Sequence, residues 1–232
     1  MNVVKDSAYY QTHKLVVTRH QQGADDFIAA LKGVNGAIEA IAQPVINIER
    51  LPCCIEPLDK DASIITTSKQ ADYALQRAGL RAHYGINSAK DINDVEALIH
   101  DIKSRHQVNR PLLYLRGLDI SFDLSSELRA AGFTIDEKIV YRALPVLGLS
   151  EELVVGLKRG QIAYVTFFSV RSAQIFEQLI NDAGLSAQLE TIKALCLSEP
   201  VLNSLQDAPW KDRLISKDKT MASMTALVES LF

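Results

Sequence analysis

Three cysteines are all that this chain of 232 residues holds, and their placement excludes more than it permits. Cys53 and Cys54 are neighbours poorly placed to pair with each other, Cys196 stands alone, and no C-x-x-C occurs. Neither a disulfide framework nor a zinc module is supported. The five histidines show no H-E-x-x-H or other ligand spacing, so no metal site is expected. There is no G-x-G-x-x-G behind a strand, no G-x-x-x-x-G-K-[ST] and no G-x-S-x-G elbow, which removes sequence support for dinucleotide, nucleoside-triphosphate and serine-hydrolase chemistry. No run of about 18 apolar residues appears. The opening MNVVKDSAYYQTHK lacks the apolar stretch of a signal peptide, so a cytoplasmic protein without membrane association is expected. Basic excess is missing too. With a net charge of −3 the chain has no general attraction for nucleic acid, and an acidic ligand would have to be held by local donors.

What is present is a doubled pattern. Val16-Val17-Thr18-Arg19 and Leu113-Tyr114-Leu115-Arg116-Gly117 are short apolar runs ending on an arginine, 97 positions apart. Ile64-Ile65-Thr66-Thr67-Ser68 and Val165-Thr166-Phe167-Phe168-Ser169 are β-rich runs ending on a serine, 101 positions apart, each with a helical pattern behind it. A period near a hundred residues is too long for a solenoid repeat and suits two similar α/β lobes. Hydrophobic residues at 47% allow each lobe an ordinary core. A ligand site between lobes, at the ends of strands, is the natural expectation.

The order of elements refines this reading. Leu15–Thr18 reads as a strand buried on both faces, Ala24–Leu31 as a helix ended by Gly33, and Ile38–Ile41 as a second strand. Pro44 marks a crossing. Then follow a strand over 62–67, a helix from Ser68 to Gly79, a helix over 91–103, a strand over 112–115, a helix over 122–131 and a strand over 134–141. Residues 142–149 form the second crossing. Beyond it come a helix capped by Ser150, a strand over 162–168, a helix over 172–180, a strand over 194–197, a helix over 201–205 capped by Ser198, a short strand at 214–216 and a closing helix lined by Met221, Met224, Leu227, Val228 and Leu231. Lobe 1 is thus expected from residues 1–43 and 144–232, and lobe 2, inserted in it, from 44–143. Both are parallel sheets flanked by helices.

Chemistry has few places to reside. Strand–Ser–helix turns occur at Ser68-Lys69, at Ser169-Val170-Arg171-Ser172 and at Ser198. The first-turn amides of a helix are unsatisfied and positive, so such turns accept carboxylates or phosphates; each serine can equally be a plain cap. Arg19 and Arg116 follow strand ends and can either fork a carboxylate or pair with an acid of their own lobe. Tyr141 ends the strand that leaves lobe 2, where it can pack with its hydroxyl wet or donate a proton to a leaving group.

Taken in order, several segments resemble the uroporphyrinogen-III synthase family, which closes the tetrapyrrole ring. They are Leu15-Val16-Val17-Thr18-Arg19, Gln43-Pro44-Val45-Ile46, Ser63-Ile64-Ile65-Thr66-Thr67-Ser68, Leu113-Tyr114-Leu115-Arg116-Gly117, Ala131-Gly132-Phe133, Val140-Tyr141-Arg142 and Val165-Thr166-Phe167-Phe168-Ser169. The resemblance implies two α/β lobes joined by a two-stranded hinge. It implies a lyase of heme biosynthesis that cyclises hydroxymethylbilane to uroporphyrinogen III, inverting the last pyrrole and losing water with no cofactor. By the same resemblance Tyr141 helps the hydroxyl depart, and Ser169 and Ser68 bind substrate carboxylates. Arg19, Lys69, Arg116, Gly117, Val170, Arg171 and Ser198 complete the expected substrate-binding set. Hydroxymethylbilane is the expected partner of a monomer, with the preceding enzyme of the pathway as a transient one.

Two departures from the family pattern stand out. Its glycine-threonine-threonine-alanine turn is replaced by Leu197-Ser198-Glu199-Pro200-Val201, where Glu199 repels a carboxylate. Ser68 and Arg116 are only 48 positions apart, so a βα unit with a G-x-x-[ST]-A turn is either reduced to Gly85-Ile86-Asn87-Ser88-Ala89 or missing. The alternatives are a non-catalytic relative that binds a tetrapyrrole or other polyacid, and a two-lobe binding protein for a small neutral molecule.

Overall fold

The computed structural model describes residues 13–52, 62–85, 95–120, 122–205 and 207–232. In chain order the elements are β1 (Lys14–Val17), α1 (Gln21–Val34), β2 (Ala40–Ala42), β3 (Ile46–Arg50), β4 (Ser63–Thr66), α2 (Lys69–Arg77), β5 (Tyr84–Gly85), α3 (Val95–Arg105), β6 (Leu112–Gly117), α4 (Leu124–Ala130) and β7 (Ile135–Pro145). The return path adds α5 (Glu151–Lys158), β8 (Ile162–Phe167), α6 (Val170–Asp182), a 3-10 helix (Ser186–Thr191), β9 (Lys193–Cys196), α7 (Glu199–Asn203), β10 (Asp212–Ile215) and α8 (Met221–Glu229). Two compact units result, one from Met1–Asn47 with Pro145–Phe232, the other from Ile48–Leu144.

The first unit is an all-parallel sheet in the order β10-β9-β8-β1-β2. Successive side chains of a strand point to opposite faces, and the core follows that alternation. Leu15 and Val17 of β1 pack with Phe27 and Leu31 of α1 and with Met224 and Val228 of α8. Val16, together with Val165 and Phe167 of β8, packs with Leu153 of α5, Phe176 of α6 and Val201 of α7. Covering both faces is what allows near-continuous apolar strands. Two buried threonines finish the centre, since Thr18 Oγ1 donates to the Thr166 carbonyl at 2.7 Å and Thr166 Oγ1 to the Val16 carbonyl at 3.1 Å.

The second unit has the order β3-β7-β6-β4-β5, with β5, β4, β6 and β7 parallel. Here Leu112 and Tyr114 of β6 face α3 and α4, while Leu113 and Leu115 face Ala71 and Leu75 of α2. Edge strand β3 runs antiparallel to β7, with the Leu51 amide donating to the Val140 carbonyl and the Val146 amide to the Val45 carbonyl, so the chain is α/β with two parallel-dominated sheets, each clothed by helices. The βα unit between Ser68 and Arg116 is present in short form: β5 is two residues long, pairs with β4, and leads to α3. Residues 86–90, where the family's turn was sought, lie outside the described residues.

Local departures from the sequence reading have simple causes. Helix α1 begins at Gln21 because His20 Nδ1 accepts from the Gly23 amide, and it runs through Gly33 to a cap at Asn35. The expected strand over 38–41 forms at Ala40–Ala42, and β7 continues to Pro145, absorbing the start of the second crossing. Ser150 does cap its helix. Its hydroxyl accepts from Leu153 and its own amide donates to Gln43 Oε1 at 2.8 Å, which ties the two crossings together inside the first unit. Ser198 stands at the N-cap of α7, which starts at Glu199, but its side chain makes no capping bond. Met221 is not a core residue: it is 37% exposed. No helix among the described residues is long and apolar enough to cross a membrane.

Phe176 is fully buried, edge-on to Phe167 at 5.4 Å and stacked on Trp210 at 6.2 Å. Phe176→Ala opens a cavity that lowers unfolding free energy by about 3–5 kcal/mol. Urea titration followed by the fluorescence of Trp210, the single tryptophan, reads the loss directly. An unchanged midpoint would contradict this packing.

Candidate active site

Parallel strands bring their carboxyl ends, and the amino ends of the helices that follow, to one edge of each sheet. In the first unit that edge carries Arg19 after β1, Ser169-Val170-Arg171 after β8 and Ser198 after β9. The Ser169 hydroxyl is occupied by capping: it accepts from the Ser172 amide at 3.2 Å and donates to the Ser172 hydroxyl at 2.9 Å. The donors that α6 leaves for a ligand are therefore its first-turn amides, beginning with Val170, rather than the serine side chain. At α7 this resource is poorer, because Pro200 has no N–H and Glu199 brings a like charge.

Arg19 is held without an acid within ion-pair distance among the described residues. Its Nη1 donates to Met221 Sδ at 2.7 Å, and its guanidinium lies 4.9 Å from the Phe168 ring centre. Burial lowers its pKa from the ordinary guanidinium value while Asp26 opposes the shift, and it stays charged. Gly23 of α1 makes room for it, since a Cβ at 23 would stand 2.9 Å from Arg19 Nε. The sequence reading did not single out Gly23.

The second unit gathers Ser68 and Lys69 after β4, Arg116 and Gly117 at the end of β6, and Tyr141 on β7. The Ser68 hydroxyl accepts from the Ala71 amide at 3.2 Å and is a cap; Lys69 is exposed on the first turn of α2. Of the two readings open for Arg116, the structure realises the internal one. Its Nε donates to Glu137 Oε2 at 2.5 Å, and its Nη1 to the carbonyls of Gly117 at 2.9 Å and Leu118 at 3.3 Å. Arg129 binds the other oxygen of Glu137 at 3.0 Å. Burial alone would push the Glu137 carboxyl up, but the bonds from Arg116 and Arg129 outweigh it and hold it below the usual range. Arg116 is thus a brace for the end of β6.

A pocket of about 260 Å³ opens there, lined by Thr67, Ser68, Tyr114, Gly117, Tyr141 and the exposed loop side chains Ile120 and Phe122. Two phenols meet in it. Tyr114 is buried and shares a 2.8 Å hydrogen bond with Thr67 Oγ1. Burial pushes its pKa above the ordinary value against that bond, and Tyr141 adds to the rise, so Tyr114 remains a neutral phenol. Tyr141 is half-buried and pairs in register with Gly117 across a bulge, its ring lying over the bare Cα. Among the described residues nothing hydrogen-bonds its hydroxyl, which leaves that proton available to a ligand. Thr67, Tyr114, Ile120 and Phe122 escaped the sequence reading. The one usable signal was the apolar loop that follows Gly117.

Comparison with known proteins bears on this arrangement. The family model described as uroporphyrinogen-III synthase HemD matches residues 55–226, well over half of the chain. No curated protein sequence matches. The crystal structure of uroporphyrinogen-III synthetase from Helicobacter pylori 26695 aligns with 95% of this chain and 100% of its own at 17% identity, with a TM-score of 0.62. Wild-type uroporphyrinogen III synthase from Thermus thermophilus, an extremely thermophilic bacterium, aligns with 94% of this chain and 96% of its own, at 17% identity and a TM-score of 0.43. The extent of the family match and the α/β likeness to the Helicobacter structure agree: this chain belongs to the uroporphyrinogen-III synthase family.

Proposed function

We propose that the chain converts hydroxymethylbilane to uroporphyrinogen III, with Tyr141 as the proton donor to the departing hydroxyl. The observation that carries the assignment of roles is the Tyr141 phenol in the second unit's pocket, with no internal partner among the described residues. At about 260 Å³ the pocket is below the ~300–1,000 Å³ of typical small-molecule sites, a size for one substituted pyrrole rather than a whole tetrapyrrole.

The substrate supplies most of the reactivity. Protonation of its hydroxyl by Tyr141 releases water and leaves an azafulvenium-like cation conjugated to the terminal pyrrole. The substituted α-carbon of the last pyrrole attacks that cation. The bond from this carbon to its original methylene bridge then breaks, leaving a second azafulvenium-like cation on the neighbouring pyrrole. The free α-carbon of the now inverted pyrrole bonds to that methylene, and the proton lost as this pyrrole regains aromaticity returns to the phenoxide. The protein's main work is orientation of a flexible octa-acid, where correct positioning outweighs strong acid or base catalysis. Carboxylates are held by the first-turn amides of α2 and α6, by Lys69 and by Arg19, whose guanidinium has no acid within ion-pair distance among the described residues. Ser68 and Ser169 hold those helix starts in place by capping them. The enzyme acts as a cytoplasmic monomer, meeting the preceding enzyme of the pathway only transiently.

Freshly generated hydroxymethylbilane tests the assignment. Purified protein should yield the III isomer faster than the spontaneous reaction yields the I isomer; the I isomer alone at the uncatalysed rate would refute it. Tyr141→Phe should lower kcat by about a hundredfold, the low end for a general acid, with far-UV dichroism unchanged. An unaltered kcat would remove Tyr141 from the mechanism. Product affinity should weaken about tenfold between ~0.05 and ~0.5 M salt, because most contacts are to carboxylates. Calorimetric titration at both salt levels measures this, and salt-independent binding would contradict the polyanion picture.

A further inference from the structure

We propose that Gly117 is a positioning residue for this reaction: the absence of a side chain there sets where the Tyr141 phenol lies. The inference rests on the proposed role of Tyr141 as proton donor. A Cβ at 117 would stand 2.7 Å from Tyr141 Cζ, 2.8 Å from Cε2 and 2.9 Å from the hydroxyl oxygen. Carbon atoms pack favourably at about 3.5–4.0 Å, so no side chain, however small, coexists with the ring in this place.

The backbone does not demand the glycine. The described glycines with left-handed φ are Gly79, Gly132, Gly160 and Gly184, and Gly117 is not among them. What is excluded at 117 is only the volume of a methyl group. The main chain on both sides of the contact is also fixed. Gly117 and Tyr141 are register partners, the Leu118 amide donates to the Tyr141 carbonyl at 2.9 Å, and Arg116, clamped on Glu137, holds the carbonyls of Gly117 and Leu118. Neither strand can give way cheaply. The atoms that a Cβ would meet are the hydroxyl end of the ring, the part that swings furthest for a small side-chain rotation. Alanine at 117 therefore displaces the phenol and leaves the sheet standing. Orientation errors of this size at a reacting group cost rate rather than binding.

The test is a double-mutant cycle on kcat and KM with Gly117→Ala, Tyr141→Phe and the double variant, each first checked for its thermal midpoint. Gly117→Ala should lower kcat by about the factor that Tyr141→Phe does, with KM within about twofold and the midpoint near that of the parent. The double variant should be no slower than either single one, since a hydroxyl already absent cannot be misplaced. Losses that multiply, a change confined to KM, or a Gly117→Ala protein that fails to fold would each overturn the proposal; a raised KM would instead make Gly117 a substrate contact. A crystal structure of Gly117→Ala separates this from the role of Tyr141. A ring left in place refutes the positioning whatever the kinetics, whereas a displaced ring with an unimpaired Tyr141→Phe refutes only the proton donor and leaves the seating of the ring confirmed.

Discussion

In both units helices cover the sheet on its two faces, so the polar backbone has nowhere to meet a ligand except where strands stop. This constraint governs the rest. Because β1, β8 and β9 run parallel, Arg19, Ser169 and Ser198 share one edge; because β4, β6 and β7 run parallel, so do Ser68, Gly117 and Tyr141. A parallel sheet buried on both sides is stabilised by its apolar runs, and the same runs dictate that polar chemistry collects at their ends. The alternation of Leu15, Val16 and Val17 between two cores is the clearest local expression of it.

The edges themselves are shaped by what is missing. Arg19 lies against Gly23, and Tyr141 against Gly117, each long side chain occupying the volume a Cβ would fill. In neither glycine is φ in the left-handed region, so these are positions of close approach rather than turns. Charge is distributed with similar economy. Arg116 is neutralised by Glu137 and stiffens the end of β6, whereas Arg19 rests on a thioether and an aromatic ring and keeps its charge available. Two arginines that look equivalent at the ends of two apolar runs thus perform different tasks.

Much of this architecture was legible in the residues. Runs such as Leu112-Leu113-Tyr114-Leu115 announce strands buried on both faces, and Ser68, Ser150 and Ser169 mark helix starts because a hydroxyl there accepts an orphan amide. Other features depend on partners far along the chain and leave no local trace. β5 is only two residues and exists because β4 lies beside it. Arg116 meets Glu137 across a strand pairing whose register no spacing rule predicts, and Gly117 meets Tyr141 the same way. Helix α1 starts early because a histidine accepts the first-turn bond, a task usually left to serine or aspartate. The proline at 200 was visible, but its cost to the start of α7 shows only once that helix is seen to begin at Glu199.

The pairing of β1 with β8 sets an order of events during synthesis. Leu15 lies beside Tyr164, so β1 waits for nearly 150 residues before the central strand of its sheet, β8, emerges. The second unit, Ile48–Leu144, is contiguous and complete well before then. Until β8 is made, β1 lacks the partner it has on one side in the finished sheet, and an unpaired apolar strand is the kind of edge that recruits other chains. A released chain ending between Leu144 and Phe167 would hold every residue of the inserted unit but neither β9 nor β10 and at most part of β8, leaving the apolar strands of the first sheet short of partners.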